Sequence, residues 1–277
     1  MRILVTGGEG LVGSAVVAHL LAYGHELTTL TLPGATPHDG VRVVRGDARD
    51  RGAVAEAATG ADAVAHLAAI PSPFHHPADE VFGNNTLATF TVLWTAAELG
   101  VRRFAIAGSV NATGLIMNPH RPPPPRYPVD ETTEPDVADP YSLSKQVDEL
   151  TLSAVCRRFE AAGFALRLPL MISARNRTEL RAWAAENAAG GRGDGWGWLD
   201  VWDAAEAFRL ALTVPCEGAH VVHVAAAHTF QDAPTEELLA RHAPDVPRPG
   251  PFPGRIAPID TTRARELLGF TPRYGED

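Results

Sequence analysis

The chain has 277 residues, 45% of them hydrophobic, and a formal net charge of −9. That length holds one large domain, or one domain with a smaller lobe, around an ordinary globular core. The acidic balance argues against a basic face for nucleic acid, and two cysteines, Cys156 and Cys216, are too few for a disulfide scaffold and lack metal-ligand spacing, as in a reducing, cytoplasmic protein.

The N-terminal run Ile3–Thr6 predicts a first strand, and it stops at glycines too early to be a signal peptide. No run approaches the ~20 apolar residues that span a bilayer, so no membrane partner is expected. Leu11–Tyr23 reads as a helix behind a glycine turn, Glu26–Thr31 and Val41–Arg45 as strands, and Arg49–Thr59 as a short helix. Ala63–Leu67 reads as a buried strand, Asp79–Leu99 as a long helix and Arg103–Ala107 as another strand. Residues 112–140, with the run Pro122–Pro125, break this rhythm and predict a rigid loop beside the active site. Pro140–Ala161 resumes as a helix and Phe164–Leu168 as a strand; Gly190–Gly197 reads as a turn or flexible loop. A helix over Asp203–Leu212, a strand over His220–Val224 and short helices over Thr235–Ala240 and Thr262–Leu268 complete the pattern. The βαβ alternation predicts an α/β fold, a doubly wound parallel sheet of the Rossmann type with a small C-terminal substrate lobe. Its expected division is 1–168 with 198–228 for the dinucleotide-binding domain, and 169–197 with 229–277 for the lobe.

Thr6-Gly7-Gly8-Glu9-Gly10-Leu11-Val12-Gly13 follows the first strand and opens a helix. Gly7 permits the sharp turn, Gly10 lets the backbone approach a pyrophosphate, and Gly13 lets the helix pack against the strand. Leu11 and Val12 belong to the helix N-terminus, whose free N–H groups and positive dipole end suit phosphate. Three glycines at this spacing after the first strand of a βαβ unit are a strong dinucleotide signal. The second strand ends in Leu30-Thr31-Leu32-Pro33, offering neither an acid for the NAD ribose nor an adjacent base for the NADP phosphate. Thr31 is the expected contact there, and NAD and NADP both stay open. After the third strand, Asp47, with Ala48 beside it, is a candidate adenine contact, and Asp50 a helix N-cap.

Tyr141 and Lys145 are four apart near the start of a predicted helix, on one face of it. A lysine ammonium next to a phenol favours the phenolate, which makes Tyr141 a candidate general acid and base. Lys145 is also placed to bond the nicotinamide ribose. Ser109 follows a strand at its carboxyl end, the side where open α/β sheets bind ligands, and suits orienting a substrate oxygen. Pro71-Ser72-Pro73-Phe74 leads into His75-His76, a loop expected to line the substrate pocket, with Ser72 a candidate contact. The two histidines lack a third ligand at metal spacing. Trp196, Trp198 and Trp202 read as core packing under the late strand.

Together these residues resemble the extended short-chain dehydrogenase/reductase superfamily, in its NAD-dependent epimerase/dehydratase family. The resemblance runs over nearly the whole chain. The glycine loop matches TGxxGxxG and Tyr141–Lys145 matches YxxxK. His66-Leu67-Ala68-Ala69 is similar to the segment that passes the cofactor ribose, and Asn85 to the asparagine of the long helix. Trp198–Ala205, Ile259-Asp260-Thr261 and Ala264–Phe270 resemble the family's late segments. The resemblance implies Ser109, Tyr141 and Lys145 as the catalytic triad. It implies Gly7, Gly10, Gly13, Asp47, Leu67, Ala68, Ala69 and Asn85 around the cofactor.

Departures from the pattern narrow the chemistry. The family's 4,6-dehydratases carry an Asp-Glu pair just after the catalytic Ser or Thr, where this chain has Val110-Asn111, so dehydration is disfavoured. Many sugar-nucleotide epimerases read Tyr-Gly where this chain has Thr113-Gly114, and carry Asn where it has Leu170. Gly108–Gly114 is loosely similar to the corresponding segment of the family's short uronate dehydrogenases. Asn111 and Thr113 are candidate partners of substrate hydroxyls, and Arg175 of a carboxylate. The expected activity is hydride transfer between NAD or NADP and a hydroxyl or carbonyl carbon of a sugar-like or other small polar substrate. A sugar epimerase and a non-catalytic dinucleotide sensor are the alternatives. A homodimer through the helices containing 85–99 and 141–158 is expected.

Overall fold

The computed structural model describes residues 1–274. Seven parallel strands form one sheet: β1 (Arg2–Thr6), β2 (Glu26–Thr31), β3 (Arg42–Arg45), β4 (Ala63–His66), β5 (Arg103–Ser109), β6 (Ala162–Leu168) and β9 (Gly218–His223). Their spatial order is β3-β2-β1-β4-β5-β6-β9, so the winding reverses between β1 and β4. A crevice opens at such a reversal, outside the carboxyl ends of the strands. The central strands read as unbroken apolar runs because helices cover both faces. Every residue of β4 and β6 is buried.

On one face lie α1 (Leu11–Ala22) and α6 (Val201–Thr213), where Val16, Leu20, Phe208 and Leu212 meet Ile3, Val5 and Phe164. The other face carries α2 (Arg51–Ala58), α3 (Ala78–Glu98) and α4 (Pro140–Phe159), whose Val54, Val92, Leu93, Leu152 and Val155 pack on Leu4, Val64 and Phe104. Side chains fix several helix starts. Asp50 accepts from Gly52 N (2.7 Å) and Ala53 N (3.3 Å) at α2, Asp139 from Ser142 N (2.8 Å) at α4, and Asp200 from Trp202 N (2.9 Å) at α6. Among the described residues no helix is long and apolar enough to cross a membrane.

The lobe holds two elements that the periodicity does not announce, β7 (Leu170–Ile172) and α5 (Arg177–Glu186). The strand β7 pairs in parallel with β8 (Trp198–Asp200), outside the main sheet. The Gly190–Gly197 stretch, expected as a loose turn, contains a short 3₁₀ helix over Gly190–Asp194 with Asp194 buried inside it. Tyr127, Val129, Trp196, Leu238, Leu239, Ala243 and Val246 make the lobe's core, the last four from or just after α7 (Thr235–His242). The expected division therefore shifts at two places. The 112–140 loop contributes Tyr127 and Val129 to the lobe, although it lies in the expected 1–168 domain. Conversely α8 (Thr262–Leu268) sends Ala264 and Leu268, with the following Phe270, into the core of the main sheet. The last residues of the expected lobe, 275–277, fall outside the described residues. Trp196 and Trp198 are buried as expected, whereas Trp202 on α6 is 42% exposed.

Candidate active site

The chain turns sharply after β1 at Gly7, whose φ of +70° suits glycine, and α1 starts at Leu11. Gly10 precedes it without any side-chain cap, and the first turn of α1 contains no acid. The first N–H groups of a helix have no intrahelical acceptor, so those of Leu11, Val12 and Gly13 are left for a ligand at this end of the sheet. A Cβ on Gly10 would meet only Gly7 O, at 3.3 Å, and otherwise open space. This cradle fits a pyrophosphate. Gly13 works differently from expectation: a Cβ there would lie 2.0 Å from Gly7 O and 2.9 Å from Gly8 Cα, so it lets the helix approach the turn itself.

His66 holds this turn from below. It is buried at the end of β4, with Nδ1 2.7 Å from Thr6 Oγ1 and Nε2 3.1 Å from Thr89 Oγ1 on α3. Burial, joined by the nearby Lys145 ammonium, pushes its pKa down to about 3. The imidazole is therefore neutral and acts as a bridge. Thr6 Oγ1 also accepts from Ala68 N (3.3 Å), which ties the Leu67-Ala68-Ala69 segment to the turn. These three residues are half-buried along the crevice.

Asn85 was expected beside the cofactor, but it is fully buried and all of its hydrogen-bonding capacity is spent within the protein. Its Oδ1 accepts from Ile70 N (2.8 Å) and Asn84 Nδ2 (3.1 Å), and its Nδ2 donates to Ile70 O (3.0 Å) and Ser144 Oγ (3.1 Å). It is a positioning residue that fastens the loop after β4 to the helix bearing Tyr141 and Lys145. Asp47 is likewise engaged: Arg49 takes Oδ1 through its N (2.8 Å) and Nε (3.0 Å), and Oδ2 through Nη2 (2.6 Å). The Arg49 hydrogen bond holds the Asp47 carboxyl below its ordinary pKa. Ala48 is buried beside it.

At the far side of the crevice, Lys145 Nζ donates to Ala107 O of β5 (3.0 Å) and stands 5.8 Å from the centre of the Tyr141 ring. One turn further along α4, Asp148 receives the same ammonium at 3.0 Å, with both side chains buried. Burial, the largest single influence, would lower the Lys145 pKa; the charge and hydrogen bond of Asp148, joined by the charges of Tyr141 and Glu149, together outweigh it and raise it. Lys145 is therefore charged, and anchored to both strand and helix. Ser109 ends β5 and caps a short 3₁₀ turn over Val110–Thr113, its Oγ accepting from Asn111 N (3.1 Å) and Asn111 Nδ2 (3.2 Å). Gln146 of α4 reaches across to Ala112 O (2.7 Å), closing this turn onto the helix that bears Tyr141 and Lys145. Tyr141 is 7% exposed, and its hydroxyl has no hydrogen-bond partner among the described residues. Ser109, Tyr141 and Lys145 thus converge where β5 and α4 meet.

The expected substrate contacts divide. Asn111 is buried beside Ser109, and its Oδ1 has no partner. Thr113 is buried too, but its hydroxyl donates to Val110 O (2.8 Å) within the turn. Ser72 is half-buried and accepts from Phe74 N (3.1 Å), while His75 and His76 are exposed. Arg175 is exposed at the turn before α5, whereas Arg177 is built into the lobe, 3.3 Å from Asp200 and 5.4 Å over the Trp198 ring. Glu9 and Asp148 escape sequence reasoning, and His66 enters it only as the first residue of the segment similar to the one that passes the cofactor ribose. Asp148 carried a readable signal, its i, i+3 spacing from Lys145.

A doubly wound sheet with a phosphate cradle at its reversal and a Ser-Tyr-Lys cluster across the crevice defines a dinucleotide-binding protein of the short-chain dehydrogenase type. Residues 3–226 match the NAD dependent epimerase/dehydratase family, and the chain belongs to it. Among curated proteins it is 28% identical over 150 residues to the dTDP-6-deoxy-L-talose 4-dehydrogenase (NAD(+)) of Aggregatibacter actinomycetemcomitans, covering 52% of each chain. With the NAD-dependent glucose-6-phosphate dehydrogenase of Haloferax volcanii it shares 32% identity over 159 residues, 53% of this chain and 60% of that one. The matches thus span little more than half the length of these relatives. Among solved structures, MoeE5 in complex with UDP-glucuronic acid and NAD superposes with a TM-score of 0.73 at 24% identity, over 99% of this chain and 95% of that one. That likeness speaks for the fold.

Proposed function

We propose that the protein is an NAD-dependent oxidoreductase acting on the hydroxyl or carbonyl carbon of a sugar-like or other small polar substrate. The observation that carries this reading is the Ser109–Tyr141–Lys145 cluster, with Val110 and Asn111 in place of acids directly after the serine. Tyr141 exchanges the hydroxyl proton, Ser109 orients the oxygen, and Lys145 holds a positive charge beside the phenol. Nicotinamide, when bound, supplies or accepts the hydride. The unpartnered Asn111 Oδ1 supports a substrate hydroxyl as its donor, since a buried acceptor left unmatched is costly. Arg175 and Ser72 are proposed as outer contacts that a substrate reaches on docking.

Supplying the enzyme with NAD and a panel of free sugars, hexuronates, hexose phosphates and nucleotide sugars tests this. Steady growth of reduced nicotinamide absorbance at about 340 nm is the expected result. An isomerised product with no net absorbance change would instead identify an epimerase.

We also infer a homodimer in a reducing cytoplasm, formed through α3 and α4. These helices pack side by side, yet Leu87, Phe90, Leu143 and Leu150 on them are 50%, 48%, 44% and 68% exposed. Large apolar side chains left exposed on two packed helices support an interface there. Leu150→Asp should turn a sedimenting dimer into a folded monomer; an unchanged sedimentation coefficient would place the interface elsewhere.

A further inference from the structure

The end of β2 lacks an acid at Thr31, but a carboxylate stands beside it. Thr31 is fully buried, with Oγ1 2.5 Å from Glu9 Oε1 and 3.2 Å from Thr29 Oγ1. A threonine hydroxyl has one hydrogen to give, and it goes to the shorter contact, Glu9. Glu9 comes from the glycine loop itself, between Gly8 and Gly10. It is half-buried, and its Oε2 has no partner among the described residues. Thr31 therefore serves as the anchor that turns a loop glutamate toward the strand end.

In folds of this kind a carboxylate at the end of the second strand accepts from the 2′-hydroxyl of the adenosine ribose. Glu9 brings the same group to the same edge from a different element. Arg45 of β3 is committed elsewhere: its Nη1 donates to Leu32 O (3.1 Å) and Ala35 O (2.7 Å), holding the loop after β2. His38 Nε2 lies 2.8 Å from Gly8 O and covers the other side of the loop.

We propose that Glu9, held by Thr31, reads the adenosine ribose diol and selects NAD over NADP. This rests on the dinucleotide reading of the glycine loop. A diol donates two hydrogen bonds to a carboxylate, whereas a 2′-phosphate brings almost two negative charges against it and has no hydrogen to offer at neutral pH. Selection thus combines an attractive contact with a repulsive one.

The test is equilibrium titration of the purified full chain with NADH and with NADPH, followed by nicotinamide fluorescence. Wild type should bind NADH at least about 10-fold more tightly, the scale of one charge-assisted hydrogen bond. Glu9→Gln keeps the shape of a half-exposed side chain and should bring the two affinities within about threefold, and Glu9→Arg should reverse the preference. A wild type that binds both forms equally, or an unchanged NADH-to-NADPH ratio in both variants, overturns the role of Glu9 while leaving dinucleotide binding intact. If wild type binds neither form, the reading of the glycine loop falls and the proposal falls with it.

Discussion

Tyr141→Phe should lower turnover roughly 10²- to 10⁴-fold while leaving NADH affinity near the wild-type value, the range expected for losing a positioned general acid and base. The variant isolates one atom. The Tyr141 hydroxyl takes no hydrogen bond from the described residues, so its removal orphans no protein group, and the ring keeps its buried place beside Lys145. Lys145 keeps Ala107 O and Asp148 as partners. Turnover on the best substrate of the panel and NADH fluorescence, measured on the same preparation, separate chemistry from binding. Full activity in Tyr141→Phe would remove the tyrosine from the mechanism.

Gly13→Ala should abolish dinucleotide binding and also destabilise the fold, whereas Gly10→Ala should impair binding alone. A methyl at Gly13 would lie 2.0 Å from Gly7 O and 2.9 Å from Gly7 C and Gly8 Cα, all three backbone atoms, so the turn or the helix must move. Overpacking of this kind costs about 1–3 kcal/mol, and the displaced turn takes the cradle with it. At Gly10 the methyl meets nothing closer than 3.3 Å within the protein. It would instead occupy the space before the bare helix start, displacing phosphate from N–H groups whose charge-assisted bonds are worth about 1.5–3 kcal/mol each. Urea unfolding and NADH titration of the two variants provide the check. Equal unfolding midpoints would refute the packing role of Gly13, and undiminished affinity in Gly10→Ala would move the pyrophosphate away from the loop.

Much of the sheet and its helices was readable because hydrophobic periodicity is a local property. The central strands β1, β4, β5 and β6 are largely apolar runs, and turn or capping residues such as Gly7 and Asp50 punctuate the pattern. The lobe was less readable for a physical reason. The three residues of β7 are too few to show a period, and Tyr127, in the loop between β5 and α4, finds its partner 65 residues away, donating to Arg192 O. The candidate catalytic residues were legible as types at known spacings, but the contacts that hold them lie between elements. Nothing in the sequence around Asn85 says that Ile70 and Ser144 will use up its amide. Glu9 occupies a variable place in the glycine motif, and only the pairing of β1 with β2 brings it to Thr31.

The composition of the lobe's core bears on the order in which the molecule assembles. Its parts arrive from the β5–α4 loop, from Trp196 and from the α7 region, and a backbone bridge joins Val129 to Ile259. Contacts so distant along the chain gain nothing until the intervening loops have closed. During synthesis, the sheet as far as β6 can collapse while the lobe still waits for its last third. The core of the lobe therefore closes after strands β1 to β6 have paired, and α8 completes the core of the main sheet last.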